Sequence, residues 1–325
     1  MKIEHLITGV ALATALSFAA ALPSRADNYP SKTVTVIVPF AAGGNTDAFA
    51  RLVAEKLDQR LGQRFIIDNK PGAGGNIGLG ELARAEPDGY TISMGTVSSN
   101  AINQTLYKQL PYDKAVGFAP ISLIATLPNV LVVNPTIEAK SVPELIALLK
   151  TKPGEFSYAS SGTGTSIHLA GELLATKAGV TMTHVPYKGS SQAIMDVVGG
   201  HVDMMFDNIP TAAQQVKAGK VRALAVTSLD KAALLADVPT MASYFPGFEA
   251  TSWHGLFAPA GTPPEIVEKL STEVQAILHD PAMKAKIEGM GATPVGNKPG
   301  EFAAFITSET AKWAEVIQAA NVPLQ

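Results

Sequence analysis

The sequence predicts an α/β protein with two lobes, and three observations lead to this prediction. Segments rich in β-branched residues alternate with segments of helical periodicity, which is typical of a parallel sheet covered by helices. The apolar segment Ile121–Asn134 is too long for an ordinary strand, and Pro128 interrupts any helix, so we expect a strand that crosses between two domains. Junctions rich in glycine, serine and threonine follow predicted strands on both sides of this crossing. Two lobes facing each other across a cleft therefore fit better than a single sheet.

The chain begins with a segment that has the properties of an export signal. Residues 6–22 are almost wholly apolar or small, and Ser24 and Ala26 suit a cleavage site before Asp27. A membrane anchor is the alternative, but the apolar segment is marginally short for a span. We therefore expect residues 1–26 to be removed as a signal peptide and the mature protein to be periplasmic.

Before the crossing strand, strands and helices alternate. The expected elements are a strand at Thr33–Val38, a helix at Thr46–Leu61, a strand at Arg64–Asp68, a short helix at Gly75–Ala85 and a strand at Tyr90–Met94. The long helix has apolar residues at helical spacing and stops at Gly62, whereas the short one follows a glycine-rich turn. This pattern predicts parallel pairing of the three strands.

The rest of the chain continues the alternation and ends in helices. After the crossing we expect helices at Pro143–Leu149, Ser166–Lys177 and Thr211–Ala218, and strands at Phe156–Ala159, Thr183–Pro186, Val202–Phe206 and Val221–Thr227. Prolines between residues 239 and 264 predict an irregular connection, followed by helical stretches at Pro264–Leu278 and Pro299–Ala320. The return crossing is expected near Val226 or nearer Trp253. The expected domains are lobe 1 at 27–126 and 228–325, and lobe 2 at 127–227.

Composition excludes several classes of function. The 325 residues include no cysteine, which excludes disulfides, thiolate metal sites, cysteine nucleophiles and a lipoprotein anchor. The net charge of −3 and the absence of any basic run argue against a nucleic-acid partner. We expect neither a cofactor nor a metal ion.

Four strand-to-helix junctions are the candidate ligand-binding loops. They span Phe40–Asp47, Gly95–Asn100, Ser160–Ser166 and Tyr187–Ser191. Each should lie at the carboxyl end of a strand, where open α/β sheets bind ligands. The first opens directly onto a helix, which leaves unpaired backbone N–H groups suited to an anion. Ordinary helix capping is the alternative for any one junction, but four such junctions around one hinge favour a binding cleft.

No arginine falls inside these loops, so backbone N–H groups and hydroxyls would have to hold an acidic ligand. We expect the backbone from Phe40 to Gly44 to contact a carboxylate. Asp47 is expected to pair with Arg51 and to shape the loop, with direct ligand contact as the alternative. Lys188 and Asp207 are candidate contacts from the second lobe, although each could be a surface or capping residue instead.

An exported α/β hydrolase is the competing function, and it is weakly supported. Ser161 or Ser99 could pair with His168 or His254, but no G-x-S-x-G motif is present, nor a P-loop or an H-E-x-x-H motif. His168 and Glu172 lie four residues apart, yet no third residue at ligand spacing completes a zinc site. We therefore expect a protein without catalytic residues.

Several segments together resemble a known family. They are Pro39–Asp47, Pro71–Gly78, Ser160–Thr165, Val185–Gly189, Phe206–Asn208 and Trp253–Pro263. Across almost the whole mature chain, the sequence resembles the Bug-type extracytoplasmic receptors of tripartite tricarboxylate transporters. The resemblance implies a type II periplasmic-binding fold, with two α/β lobes and a ligand cleft between them. It also implies capture of a small carboxylated solute and delivery to a membrane permease with one large and one small subunit.

The resemblance also implies which residues bind the ligand. In lobe 1 they are Phe40, Ala41, Ala42, Gly43, Gly44, Thr46 and Asp47, with Thr96, Ser98 and Asn100 in a second loop, and in lobe 2 they are Ser161, Gly162, Thr163, Thr165, Lys188 and Asp207. Bridging waters are expected between the first loop and the carboxylate. Some members serve signalling, so presentation of the ligand to a sensor kinase remains an alternative. We expect a monomer.

Overall fold

The computed structural model describes residues 28–114 and 117–325. The strands are β1 (Val34–Val38), β2 (Phe65–Asn69), β3 (Thr91–Thr96), β4 (Phe118–Val133), β5 (Ser157–Ser160), β6 (Thr183–Pro186), β7 (Met204–Asn208), β8 (Arg222–Val226), β9 (Thr251–Pro259) and β10 (Thr293–Pro294). The predicted signal peptide, with its cleavage site near Ala26, lies outside the described residues.

Ten helices accompany these strands in the described part of the chain. They are α1 (Asn45–Leu61), α2 (Asn76–Arg84), α3 (Asn103–Leu106), α4 (Val142–Thr151), α5 (Ser166–Ala178), α6 (Ser190–Gly199), α7 (Ile209–Lys217), α8 (Pro264–His279), α9 (Pro281–Gly289) and α10 (Pro299–Ala319). A short π-helical turn at Ser98–Ile102 precedes α3. Among the residues described, no helix is both long and apolar enough to cross a membrane.

The strands form two sheets that share β4. In the first sheet β1 lies parallel to β2 and β3, and β9 pairs antiparallel with both β3 and β4. In the second sheet β5 lies parallel to β6 and β7, and β7 and β8 both pair antiparallel with β4. We call the first sheet with its helices lobe 1 and the second sheet with its helices lobe 2. This is the two-lobed α/β fold that the sequence predicts.

The predicted crossing strand is confirmed as the sixteen-residue β4. It pairs with β9 as far as Pro128 and with β7 from Asn129 onward, so it passes from one sheet to the other between these two residues. Pro128 is tolerated because a strand, unlike a helix, can accommodate a proline where its N–H is not needed for pairing. The two lobes are therefore joined along a continuous strand.

The elements α3, α6 and β10 have no expected range in the sequence, and two larger parts of the chain also differ from the prediction. The connection expected to be irregular contains β9, which pairs on both edges with strands of lobe 1. The region after it contains three helices rather than two, because α9 follows α8 after Asp280, whose side chain caps α9 by accepting from the backbone N–H groups of Ala282 and Met283.

A buried carboxylate fixes β9 against the C-terminal helix. Glu309 on α10 accepts hydrogen bonds from the indole N–H groups of Trp253 on β9, at 3.1 Å, and of Trp313, at 3.2 Å. Both indoles are at most 1% exposed. This packing holds β9 in place, and β9 carries side chains that reach the cleft.

Candidate functional site

A small polar cavity lies between the two lobes. Its lining comes from all four predicted loops, from the start of α5, from the end of β7 and from β9. The lining residues are Phe40, Ala41, Gly44, Asn45, Thr46, Thr96, Ser98, Ser161, Thr165, Ser166, Ile167, Ser190, Asn208, Ser252 and His254. None of these residues is an aspartate, glutamate, lysine or arginine, so the lining carries no formal charge other than that of a protonated histidine.

Helix N-termini from both lobes meet at this cavity. The first residues of α1, α5 and α6 line it, and so does the N-cap residue of α7. Of these four helices only α5 has a side-chain cap, since Thr165 accepts from the backbone N–H of His168. The N-caps of α1, α6 and α7 make no side-chain capping bond, so first-turn N–H groups remain for another acceptor. Each of these four helix N-termini contributes positive potential to the cavity.

The first loop owes its shape to a buried carboxylate. Asp47 is 4% exposed and accepts hydrogen bonds from the backbone N–H of Gly43, at 3.1 Å, and from Asn69, at 3.0 Å. It also forms an ion pair with Arg51 at 2.9 Å. Gly43 has a φ of +79°, which favours glycine. Asp47 therefore holds the loop from behind and does not line the cavity, so direct contact of Asp47 with a ligand stays a prediction that this geometry does not favour.

The environment of Asp47 makes its contribution to stability depend on pH. Burial alone would raise its pKa, but the hydrogen bonds from Arg51, Gly43 and Asn69 outweigh burial, so the pKa lies below its usual 3.8. Because the folded state lowers this pKa, the stabilisation is complete well above pH 3.8 and is lost as the pH falls toward the folded-state value.

We expect Asp47→Asn to lower the free energy of unfolding by about 1–2 kcal/mol at pH 7, because the charged hydrogen bonds are lost. The difference from the unmodified protein should shrink as the pH falls below about 4. Urea denaturation between pH 7 and pH 3 measures both effects. Asp237→Asn, at an exposed aspartate, serves as the control. A difference that stays constant over this pH range would contradict the role given to the Asp47 carboxylate.

The second loop of lobe 1 uses its polar side chains in two ways. Thr96 and Ser98 line the central cavity. Asn100 turns inward and accepts from the Ser99 hydroxyl, at 2.7 Å, and from the Thr96 backbone N–H, at 3.3 Å. Asn100 thus shapes the loop and lines a separate cavity of about 540 Å3 on another face of lobe 1.

The loops of lobe 2 are divided between two adjoining cavities. Ser161 and Thr165 line the central cavity. Gly162, Thr163 and Lys188 line a second cavity of about 460 Å3, which shares Phe40 and Ser161 with the central one. We call this the outer cavity. The exposed Lys188 side chain lies there, at the edge of the cleft.

Asp207 is placed behind the central cavity rather than in its lining. It is fully buried and accepts from the backbone N–H of Asn208 at 2.8 Å. Burial raises its pKa to about 7. The next residue, Asn208, lines the cavity instead. Direct contact of Asp207 with a ligand stays a prediction that this geometry does not favour.

The lobes touch along the edge of the cleft. The Ala41 N–H donates to the Lys188 carbonyl at 3.2 Å, and the Ser191 hydroxyl donates to the Ala42 carbonyl at 3.2 Å. The central cavity between them has a free volume of only about 20 Å3, which is room for about one water molecule. The structure is therefore a closed one, and a larger solute can enter only if the lobes separate.

Several lining residues are not among the individual ligand-binding residues predicted from the sequence, although Asn45, Ser166 and Ser190 lie inside the predicted loops. The full set is Asn45, Ser166, Ile167, Ser190, Asn208, Ser252 and His254. Four of them stand at helix N-termini, next to residues that were predicted. Ser252 and His254 belong to β9, a strand that the sequence did not predict. The first residue of each helix that follows a strand is a local signal that identifies Asn45, Ser166 and Ser190, but not Ile167 or Asn208.

The histidines near the cleft are buried and neutral. Burial and the neighbouring His184 lower the pKa of His168 to about 3, and burial lowers that of His254 to about 4. His168 accepts from the Gly164 N–H at 3.3 Å, and His254 bonds Asn45 at 3.1 Å. Within the described residues neither histidine is hydrogen-bonded to Ser161 or Ser99, so the nucleophile and base of a hydrolase are not paired. No group of three or more metal-ligating side chains occurs in the described part of the chain.

Comparison with known proteins identifies relatives over almost the whole chain. The family model described as "Tripartite tricarboxylate transporter family receptor" matches residues 49–322. Protein BugT of Bordetella pertussis is 36% identical over 321 residues, which cover 98% of each chain.

Two solved structures with bound acids are similar in fold and sequence. Rpa4515 of R. palustris with adipate has a TM-score of 0.88 and 39% identity, covering 90% of this chain and 98% of that one. MatC from Rhodopseudomonas palustris with bound malate has a TM-score of 0.85 and 33% identity, covering 89% of this chain and all of that one.

Proposed function

This chain belongs to the tripartite tricarboxylate transporter receptor family, and we propose that it captures a small carboxylate in the periplasm. The observation that carries the proposal is the meeting of four helix N-termini at a cavity with no charged lining residue. Such a cavity offers N–H donors and positive potential to an anion. It offers no carboxylate to a cationic solute.

We propose that the two cavities hold different parts of the ligand. After the lobes have separated to admit it, a carboxylate would bind where the central cavity lies, to the N-terminus of α1 and the loop before it. The Ala41 and Gly43 N–H groups already donate to Lys188 and Asp47, so the first turn of α1 supplies the better donors. The rest of the ligand would extend into the outer cavity, where Lys188 could meet a second acid group. Lobe 2 would then decide which carboxylate is accepted.

The partners follow from the family. We propose delivery of the solute to the permease subunits of a tripartite tricarboxylate transporter, by a monomeric receptor whose residues 1–26 have been removed on export. Presentation of the bound solute to a sensor kinase is the alternative role. Measuring both uptake and gene induction after deletion of the gene separates the two.

We also propose lobe boundaries near residues 127 and 228, because β4 changes sheets between Pro128 and Asn129 and β8 ends at Val226.

A thermal-shift screen tests the proposed function. We expect carboxylic acids to raise the unfolding midpoint by several degrees, since a ligand at one hundred times its Kd adds about 2.7 kcal/mol of stability. Malate and adipate head the panel, because two relatives hold them. The matching diamides lack the charge and should have no effect. If no acid raises the midpoint, or if amides act as strongly as acids, the proposal is wrong.

A further inference from the structure

A chain of hydrogen-bonded side chains runs along the wall of the central cavity from β9 to β4. His254 Nε2 lies 3.1 Å from Asn45 Oδ1. Asn45 Nδ2 donates to Asn208 Oδ1, and Asn208 Nδ2 donates to Asn129 Oδ1, both at 2.5 Å. Asn129 Nδ2 donates to the Ala250 carbonyl at 2.8 Å. All four side chains are at most 5% exposed, so these groups have little water to replace a lost partner.

The direction of donation along these hydrogen-bonded side chains is fixed by the last acceptor, the Ala250 carbonyl. A carbonyl oxygen can only accept, so Asn129 must turn its amide nitrogen to Ala250 and its oxygen to Asn208. The Asn208 amide nitrogen must then donate to the Asn129 oxygen, so the Asn208 oxygen is free to accept from the Asn45 amide nitrogen. The Asn45 oxygen in turn faces His254, whose Nε2 must carry the hydrogen. Each amide orientation therefore depends on the next one.

The central bond of this chain joins the two lobes. Asn45 is the first residue of α1 in lobe 1, and Asn208 is the N-cap of α7 in lobe 2. The two residues are 163 positions apart and both line the cavity. The outer members, Asn129 and His254, stand on β4 and β9 beside the hinge. The Asn45–Asn208 bond can form only while the lobes are together.

We propose that Asn45 and Asn208 are a positioning pair that latches the lobes together before ligand binds, with Asn129 and His254 fixing the orientation of both amides. Each amide of the pair has two N–H hydrogens and uses one in the chain, so one donor from each lobe remains beside the ligand site. The proposal rests on the proposed receptor function only for its effect on affinity, because the Asn45–Asn208 bond joins the two lobes through protein atoms alone.

The latch is measured as a distance between the lobes in the ligand-free protein. The chain has no cysteine, so cysteines introduced at the exposed positions Ile66 in lobe 1 and Met195 in lobe 2 can carry spin labels. Double electron–electron resonance measures the distance between the two labels, and the distance distribution gives the populations of closed and open molecules. We expect Asn208→Ala to raise the open-to-closed ratio roughly 2- to 12-fold, which is the range for one buried hydrogen bond.

Three further variants make the test specific. Asn45→Ala removes the same bond from the other lobe and should shift the ratio equally, which also covers a failure of Asn208→Ala to fold. The double variant should shift it no further than either single change. Ser166→Ala is the control, because it removes a polar group of lobe 2 from the cavity lining, and Ser166 is not one of the four hydrogen-bonded side chains. With adipate as probe, each latch variant should weaken binding by less than it raises the open-to-closed ratio, because the same bond is lost from the closed form with and without ligand.

The outcomes decide the proposal in each case. Unchanged populations in Asn208→Ala and Asn45→Ala, additive effects in the double variant, or an open ligand-free protein before any substitution would overturn the latch. If adipate and the other acids do not bind at all, the proposed function fails. The ligand-free distances still decide the latch in that event.

Discussion

Gly189→Val should leave the protein folded and remove ligand binding. Gly189 is the N-cap of α6 in lobe 2, and it faces Ala41 of lobe 1 across the cleft. A Cβ at this position would lie 3.1 Å from the Ala41 Cβ and 3.3 Å from the Ala41 nitrogen. The φ of 173° is extended backbone that valine adopts readily, so the strain appears only when the lobes close. Valine adds two further carbons and acts as a wedge.

Isothermal titration with the best acid of the thermal-shift panel measures the effect. We expect Gly189→Ala to weaken binding modestly and Gly189→Val to weaken it at least a hundredfold, since closure would be blocked. Gly300→Val in the first turn of α10 is the matched control, because a Cβ there meets no atom within 4 Å. The unfolding midpoint of Gly189→Val should fall only slightly. Normal affinity in this variant would show that tight contact between the lobes at Ala41 is not needed for binding.

The crossing strand shows which part of the fold could be predicted from the sequence. Ile121–Asn134 is apolar enough and long enough to be recognised, and β4 occupies this segment. The partner strand β9 is not among the predicted strands, although it is equally buried and the neighbourhood of Trp253 is one of the two expected places for the return crossing. Its residues Ser252, His254 and Gly255 give neither a β-branched run nor a clear alternation. It is a strand because β3 and β4 pair with its two edges, a long-range condition that local pattern does not contain.

The site shows a similar limit. The loops were found because glycine, serine and threonine at strand ends have a local signature. Which side chain of a loop reaches the cavity depends on which face of the sheet the last residues of the preceding strand point to. Asp207 and Asn208 end β7 and point to opposite sides, since successive residues of a strand alternate. Pairing of Asn208 with Asn129 on β4 directs Asp207 into the protein interior and Asn208 to the cavity. The sequence indicates that the end of β7 lies at the cleft, but it does not indicate whether Asp207 or Asn208 faces the cavity.

Introducing a negative charge in the central cavity tests the sign of the ligand. Ser98 lines the cavity from lobe 1 and is 4% exposed. Ser98→Asp and Ser98→Asn add side chains of nearly the same size, so the difference between them reports charge alone. Two like charges about 5 Å apart repel by about 3 kcal/mol at an effective dielectric constant of about 20. We therefore expect the aspartate variant to bind the best acid about a hundredfold more weakly than the asparagine variant.

The pH dependence separates this repulsion from a change of shape. The difference between the two variants should diminish as the introduced aspartate is protonated, below about pH 4 to 5, and it should be unaffected by pH above 6. Titrations at pH 7 and pH 4 measure it, with Ser98→Asn read at both values to account for protonation of the acid itself. A cationic solute would give the opposite order, with Ser98→Asp binding more tightly than Ser98→Asn. Equal affinities would place the ligand's charge outside the central cavity, because no buried site of this size can accept a second negative charge without cost.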